Sequence, residues 1–114
     1  MIKTKKEAVQ EITESEFSKI INDKKKNLAI VDFFAEWCMP CVVMGPVFQR
    51  LSEKYPQVKF AKINVDDASK VSGEYEISSI PCIVFFKDGE EVDRIVGGVS
   101  EDLLNEKISD YLRL

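Results

Sequence analysis

Histidine is absent from all 114 residues. Its absence removes imidazole acid-base catalysis and most zinc sites, leaving thiols, carboxylates and lysines as the reactive groups. Cysteine is scarce and odd in number, three in all, too few for the disulfide framework of a small secreted domain. No apolar run approaches the roughly 18 residues of a membrane span; the longest, Leu28 to Val31 and Ile80 to Phe86, are strand-sized. The opening segment Met1-Ile2-Lys3-Thr4-Lys5-Lys6-Glu7 lacks the apolar stretch of about 7 to 15 residues that a secretory signal needs, so a cytoplasmic protein is expected. Positive charge is outweighed, 16 Lys and Arg against 20 Asp and Glu for a net charge of -4. That is the wrong sign for gripping nucleic acid or a membrane surface, and neither is expected as a partner. The one basic run, Lys24-Lys25-Lys26, reads as a solvated loop or as a docking patch. With five glycines and four prolines, the composition gives no sign of disorder.

What remains is an ordinary globular balance, 45% hydrophobic and 32% charged residues. The length suits one domain over residues 1–114, with 1–8 as a short N-terminal extension. Thr13 and Glu16 form a capping box ahead of Phe17, Ile20 and Ile21, which share one helical face. Leu28 to Phe34 has the pattern of a strand buried on both faces, interrupted by Asp32. From Cys41 to Tyr55 apolar residues recur at helical spacing around an internal Pro46, expected to kink the helix. Val58 to Val65 and Cys82 to Lys87 read as two more strands, and Asp88-Gly89 turns the chain into another at Glu91 to Val96. Between them, Ala68 to Tyr75 reads as a short helix weakened by Gly73. Ser100 caps a final helix with Leu104, Ile108, Tyr111 and Leu112 on one face. The order predicts an α/β fold, a central mixed β-sheet flanked by helices on both faces, with an antiparallel closing pair.

Cys38 and Cys41, separated by two residues, stand just after a buried strand and at the start of the longest helix, a placement suited to redox chemistry. A thiol at a helix N-terminus has its thiolate favoured by unpaired N–H groups and the helix dipole, which lowers its pKa. Cys41, one turn on and expected to be the more buried, can close a ring with Cys38 and resolve a mixed disulfide intramolecularly. The competing reading is half of a zinc site, for which only Cys82 remains as a further soft ligand. A carboxylate at Asp32 among Ile30, Val31, Phe33 and Phe34 pays a desolvation penalty that raises its pKa. It reads either as a satisfied core residue or as a proton relay to Cys41.

Val31-Asp32-Phe33-Phe34-Ala35-Glu36-Trp37-Cys38-Met39-Pro40-Cys41 resembles the active-site segment of the thioredoxin family. The likeness continues through Pro46, Ala61 to Asp66, Ile80-Pro81, Phe85 to Gly89 and Val96-Gly97-Gly98. The resemblance implies the thioredoxin fold and a protein-disulfide reductase that cycles between a Cys38–Cys41 dithiol and disulfide. It assigns Cys38 as nucleophile, Cys41 as resolving thiol, Asp32 to proton transfer and Lys62 as its neighbour. It makes Pro81 a cis-proline and Trp37, Met39, Pro40, Ile80, Pro81, Val96, Gly97 and Gly98 an apolar substrate surface read by shape and backbone pairing.

The implied partners are disulfide-containing proteins and a thioredoxin reductase as electron donor, with no bound cofactor or metal and a monomeric state. Three positions depart from the usual pattern: Met39 in place of glycine, Phe34 in place of tryptophan, and Cys82 in place of the threonine after the proline. Cys82 reads as a small buried hydrophobe or as a third thiol competing for the pair. The alternatives are a disulfide oxidase or isomerase of the same fold, a non-catalytic binding module, and a metal or iron-sulfur carrier using Cys82.

Overall fold

The computed structural model describes residues 9–114; the extension expected over residues 1–8 lies outside them. The chain runs through β1 (Val9–Glu11), a 3-10 turn (Glu14–Glu16), α1 (Phe17–Ile21), β2 (Leu28–Phe34) and α2 (Met39–Lys54). It continues with β3 (Lys59–Asn64), a second 3-10 turn (Val65–Asp67), α3 (Ser69–Glu74), β4 (Cys82–Lys87), β5 (Glu90–Val96) and α4 (Glu101–Leu112). The strands form one mixed sheet in the order β1-β3-β2-β4-β5. β1, β3 and β2 run parallel, while β4 pairs antiparallel with both β2 and β5. The expected α/β architecture is the one formed.

β2 is the middle strand, and its near-continuous apolar sequence is what burial on both faces selects. Successive side chains alternate faces. Ala29, Val31 and Phe33 enter a core completed by Phe17, Ile20 and Ile21 of α1 and Val71 of α3. Leu28 and Ile30 enter a second core with Met44, Phe48 and Leu51 of α2 and Leu104 and Ile108 of α4. The same alternation puts Asp32 on the α2 face, beneath the start of that helix.

The ends of the elements are held by short-range hydrogen bonds. The Thr13 N–H donates to the Glu16 carboxylate at 2.8 Å. The other acid of that turn, Glu14, accepts from the Val71 N–H at 2.7 Å and so ties it to α3. Ser100 Oγ accepts from the Leu103 N–H at 3.2 Å, capping α4. Asp88 and Gly89 both take positive φ, 52° and 84°, as a two-residue hairpin turn requires. Lys87 Nζ donates to the Tyr111 and Leu114 carbonyls, joining the end of β4 to the end of α4.

Two features were not anticipated. β1 is three residues long with only Val9 buried, too short to show a period. α2 begins at Met39 instead of near Cys41, because exposed Met39 and Pro40 lie outside the apolar stripe although their backbone is already helical. Among the described residues, no helix is long and apolar enough to cross a membrane.

Phe48 is buried and meets Phe60 edge-on, with ring centroids 5.1 Å apart. Phe48→Ala should cost about 3–5 kcal/mol, read as a lower urea midpoint at unchanged slope. A loss below about 1 kcal/mol would show that α2 does not depend on this contact.

Candidate functional site

β2 ends at Phe34, and Ala35-Glu36-Trp37 turn the chain into α2. The turn is closed by the Cys38 N–H donating to the Ala35 carbonyl at 3.2 Å. Cys38 has extended backbone and is the N-cap of α2. Its carbonyl accepts from the Val42 N–H at 3.1 Å, and its Sγ accepts from the Cys41 N–H at 3.3 Å. Pro40 occupies the first turn, where a missing N–H costs nothing. The structure joins Cys38 and Cys41 as a disulfide with their Cα atoms 5.3 Å apart. In the reduced state the same helix-start amides favour a Cys38 thiolate over a thiol.

The sulfurs lie in an apolar nest with Ala35, flanked by Phe34, Val65 and Ile80. Both cysteines are 5% exposed, so the expectation that Cys41 is the more buried does not hold in the disulfide state. The bond places both sulfurs in one nest. What distinguishes them is a cleft of about 430 Å³ that reaches Cys41 and Asp32 and is lined also by Lys62, Glu11, Glu36 and Asp67.

Asp32 is 3% exposed, and its Oδ1 has no hydrogen-bond partner among the described residues. Burial pushes its carboxyl up to about 7, against a smaller opposing pull from the Lys62 charge. Lys62 is the residue directly across from Asp32 in the β2–β3 register. Its ammonium nevertheless lies over the Phe34 ring, 5.3 Å from the centroid.

Trp37 is 72% exposed but pinned, its Nε1–H donating to Asp66 Oδ2 at 2.9 Å. Asp66 is in turn set by its own N–H donating to Asn64 Oδ1 at 2.9 Å. Met39 is exposed beside the cysteines. On the other side, the Ile80–Pro81 peptide is cis, and the Pro81 carbonyl accepts from the Gly97 N–H at 2.8 Å. Gly97 takes a φ of 90°, a conformation that favours glycine. Val96 is exposed and pairs with Cys82, and Gly98 follows on the open end of β5. Ile80 thus links the Pro81–Gly97 corner to the disulfide.

Cys82 does not join this group. Its side chain lies in the α1 and α3 core with Phe33 and Val84, so the three cysteines do not converge. The thiol is free and buried, and burial pushes its pKa up against a smaller opposing effect of Arg94. That environment suits an inert small side chain. The sequence reading did not single out Asn64, Asp66 or the cleft-lining acids Glu11, Glu36 and Asp67. The period-two pairing of Glu11 with Lys62 across β1 and β3 could have found Glu11 once β1 was known.

The thioredoxin family model matches residues 8–110. A thioredoxin of Chlamydia pneumoniae is 45% identical over 84 residues, covering 74% of this chain and 82% of that protein. A thioredoxin of Chlamydia trachomatis is 38% identical over 103 residues, covering 90% of this chain and 98% of that protein. The solved structure of a point-mutant thioredoxin from Halobacterium salinarum superposes with a TM-score of 0.85 at 31% identity, covering 96% of each chain.

The carboxyl at Asp32 makes stability depend on pH. Its pKa is raised from 3.8 to about 7 on folding, so between those values the folded chain holds a proton that the unfolded chain has released. Stability therefore falls as pH rises through that window, and above it the full cost stands, at most on the order of 4 kcal/mol. Asp32→Asn should be close to neutral near pH 4 and increasingly stabilising toward pH 8 in urea unfolding. A pH-independent difference would show that the carboxyl is not protonated by burial.

Proposed function

The chain belongs to the thioredoxin family and is a thiol-disulfide oxidoreductase of the disulfide-reducing kind; from that premise we propose how its own residues divide the work. Cys38 is the nucleophile. As a thiolate at the head of α2 it attacks a substrate disulfide, forming a Cys38–substrate mixed disulfide and releasing one substrate thiolate. Cys41 then gives its proton to the Asp32 carboxylate, and the new thiolate attacks Cys38 Sγ. The Cys38–Cys41 disulfide forms and the second substrate sulfur leaves as a thiolate that takes up a proton. Two electrons pass from the dithiol to the substrate, and a reductase returns them.

The observation that carries this assignment is the asymmetry of access: the cleft containing Asp32 reaches Cys41, whereas Cys38 caps the helix. A carboxyl with pKa about 7 suits proton exchange near neutral pH, where it has both states to offer. Lys62 lines the same cleft and moderates that pKa.

Trp37, Met39 and Pro40 beside the cysteines, with Ile80, Pro81, Val96, Gly97 and Gly98 across from them, form the surface on which an extended substrate segment lies. Exposed apolar side chains around a corner of free backbone favour recognition by shape and main-chain pairing. Disulfide substrates and a reductase are general to the family; for this chain we assign disulfide-containing proteins as substrates and a thioredoxin reductase as donor. We read residues 9–114 as one working domain, monomeric and cytoplasmic. The small, odd number of cysteines supports that compartment.

Cys38→Ser should abolish reduction of a protein disulfide in an assay driven by a thioredoxin reductase. Cys41→Ser should accumulate a mixed disulfide visible by mass spectrometry on non-reduced protein. Normal turnover by Cys41→Ser would reverse the assigned roles.

A further inference from the structure

Lys62 has carboxylates on both sides of it in the sheet register, Asp32 on β2 and Glu11 on β1. Opposite charges this close ordinarily draw together. Yet Lys62 forms no ion pair among the described residues. Its ammonium is taken up by the face of Phe34, the half-buried residue that ends β2. Phe34 lies two positions beyond Asp32 and so on the same face of the strand. Lys62 therefore reaches past the carboxyl to the ring.

We propose that Phe34 is a positioning residue for the buried carboxyl: by holding the Lys62 ammonium on its ring face it keeps Asp32 unpaired and free to exchange a proton with Cys41. The inference rests on the proton-exchange role assigned to Asp32 above. The orphaned Oδ1 is the trace of the arrangement. A carboxylate in contact with an ammonium is locked in its charged form, whereas an unpaired one in an apolar site can hold a proton. Phe34 also packs against the cluster of Ala35, Cys38 and Cys41, so one side chain lies between the disulfide nest and the cation that would otherwise pair with Asp32.

The charged and titratable groups around Asp32 come from every neighbouring element. They are Lys62 of β3, Cys41 of α2, Glu11 of β1, Glu36 of the turn before α2, and Asp67 after β3. Cys82 of β4 also feels the Asp32 charge. Only Lys62 among them is a cation, so only Lys62 can lower the carboxyl pKa by direct pairing. Removing the ring should release it to do so.

The test is a carbon-13 titration of the Asp32 carboxyl in the reduced, full-length protein. Phe34→Leu should lower its pKa by about one unit or more, and Phe34→Trp, which keeps a ring face, should leave it in place. The drop should vanish in the double variant Phe34→Leu/Lys62→Met, where no ammonium remains to pair. Phe34→Met replaces the leucine variant if that protein does not fold. An unchanged Asp32 pKa in the ring-less variant, or an equal drop without Lys62, would overturn the proposal. The pH profile of mixed-disulfide resolution, measured on the same proteins, separates the underlying reading. A pKa that moves with no shift in that profile supports the placement by Phe34 and removes Asp32 from the proton path.

Discussion

β2 is enclosed on every side, by β3 and β4 along its edges and by a hydrophobic core on each face, and the positions of the other elements follow from that enclosure. The strand divides the interior in two. Its odd-numbered residues from Ala29 to Phe33 assign α1 and α3 to one layer, and Leu28 and Ile30 assign α2 and α4 to the other. Because the strand cannot shift register by one residue without turning both cores inside out, the place where it ends is fixed. Cys38 is delivered to the head of α2 by a three-residue turn from that end.

The same enclosure gives the site its chemistry. The carboxyl at position 32 is buried and lines the cleft shared with Cys41, and that burial raises its pKa to about 7. The protein thus carries at its centre a group whose burial is destabilising once it is charged, the same group to which our proposal gives the proton exchange. The sulfurs sit where this burial meets the exposed face formed by Trp37 and Met39.

Much of this was legible in the residues themselves. The β2 boundaries, the Asp88-Gly89 turn and the Ser100 cap are written in local patterns whose physics is short-range, and they match the structure. β1 was not, since three residues on an edge with one buried side chain leave no periodic trace. The start of α2 was displaced because apolar periodicity marks a buried face and not a helical backbone. Cys82 read from sequence as either a small buried hydrophobe or a third thiol competing for the pair, and alternation along β4 turns its thiol into the opposite core. The engagement of Lys62 with Phe34 depends on where a long side chain goes after its backbone is placed, and no spacing rule supplies that.

The sheet order also bears on how the chain assembles. β4 and β5 are joined by a two-residue turn, so their pairing closes almost no loop and can form early. β1 pairs with β3 through Val9 and Phe60, about fifty residues apart, and gains little apolar burial for that closure. The edge strand should therefore dock last and fray first. Its amide protons would exchange with solvent well before those of β2, giving the sheet a gradient of cooperativity that runs from its hairpin side to its parallel edge.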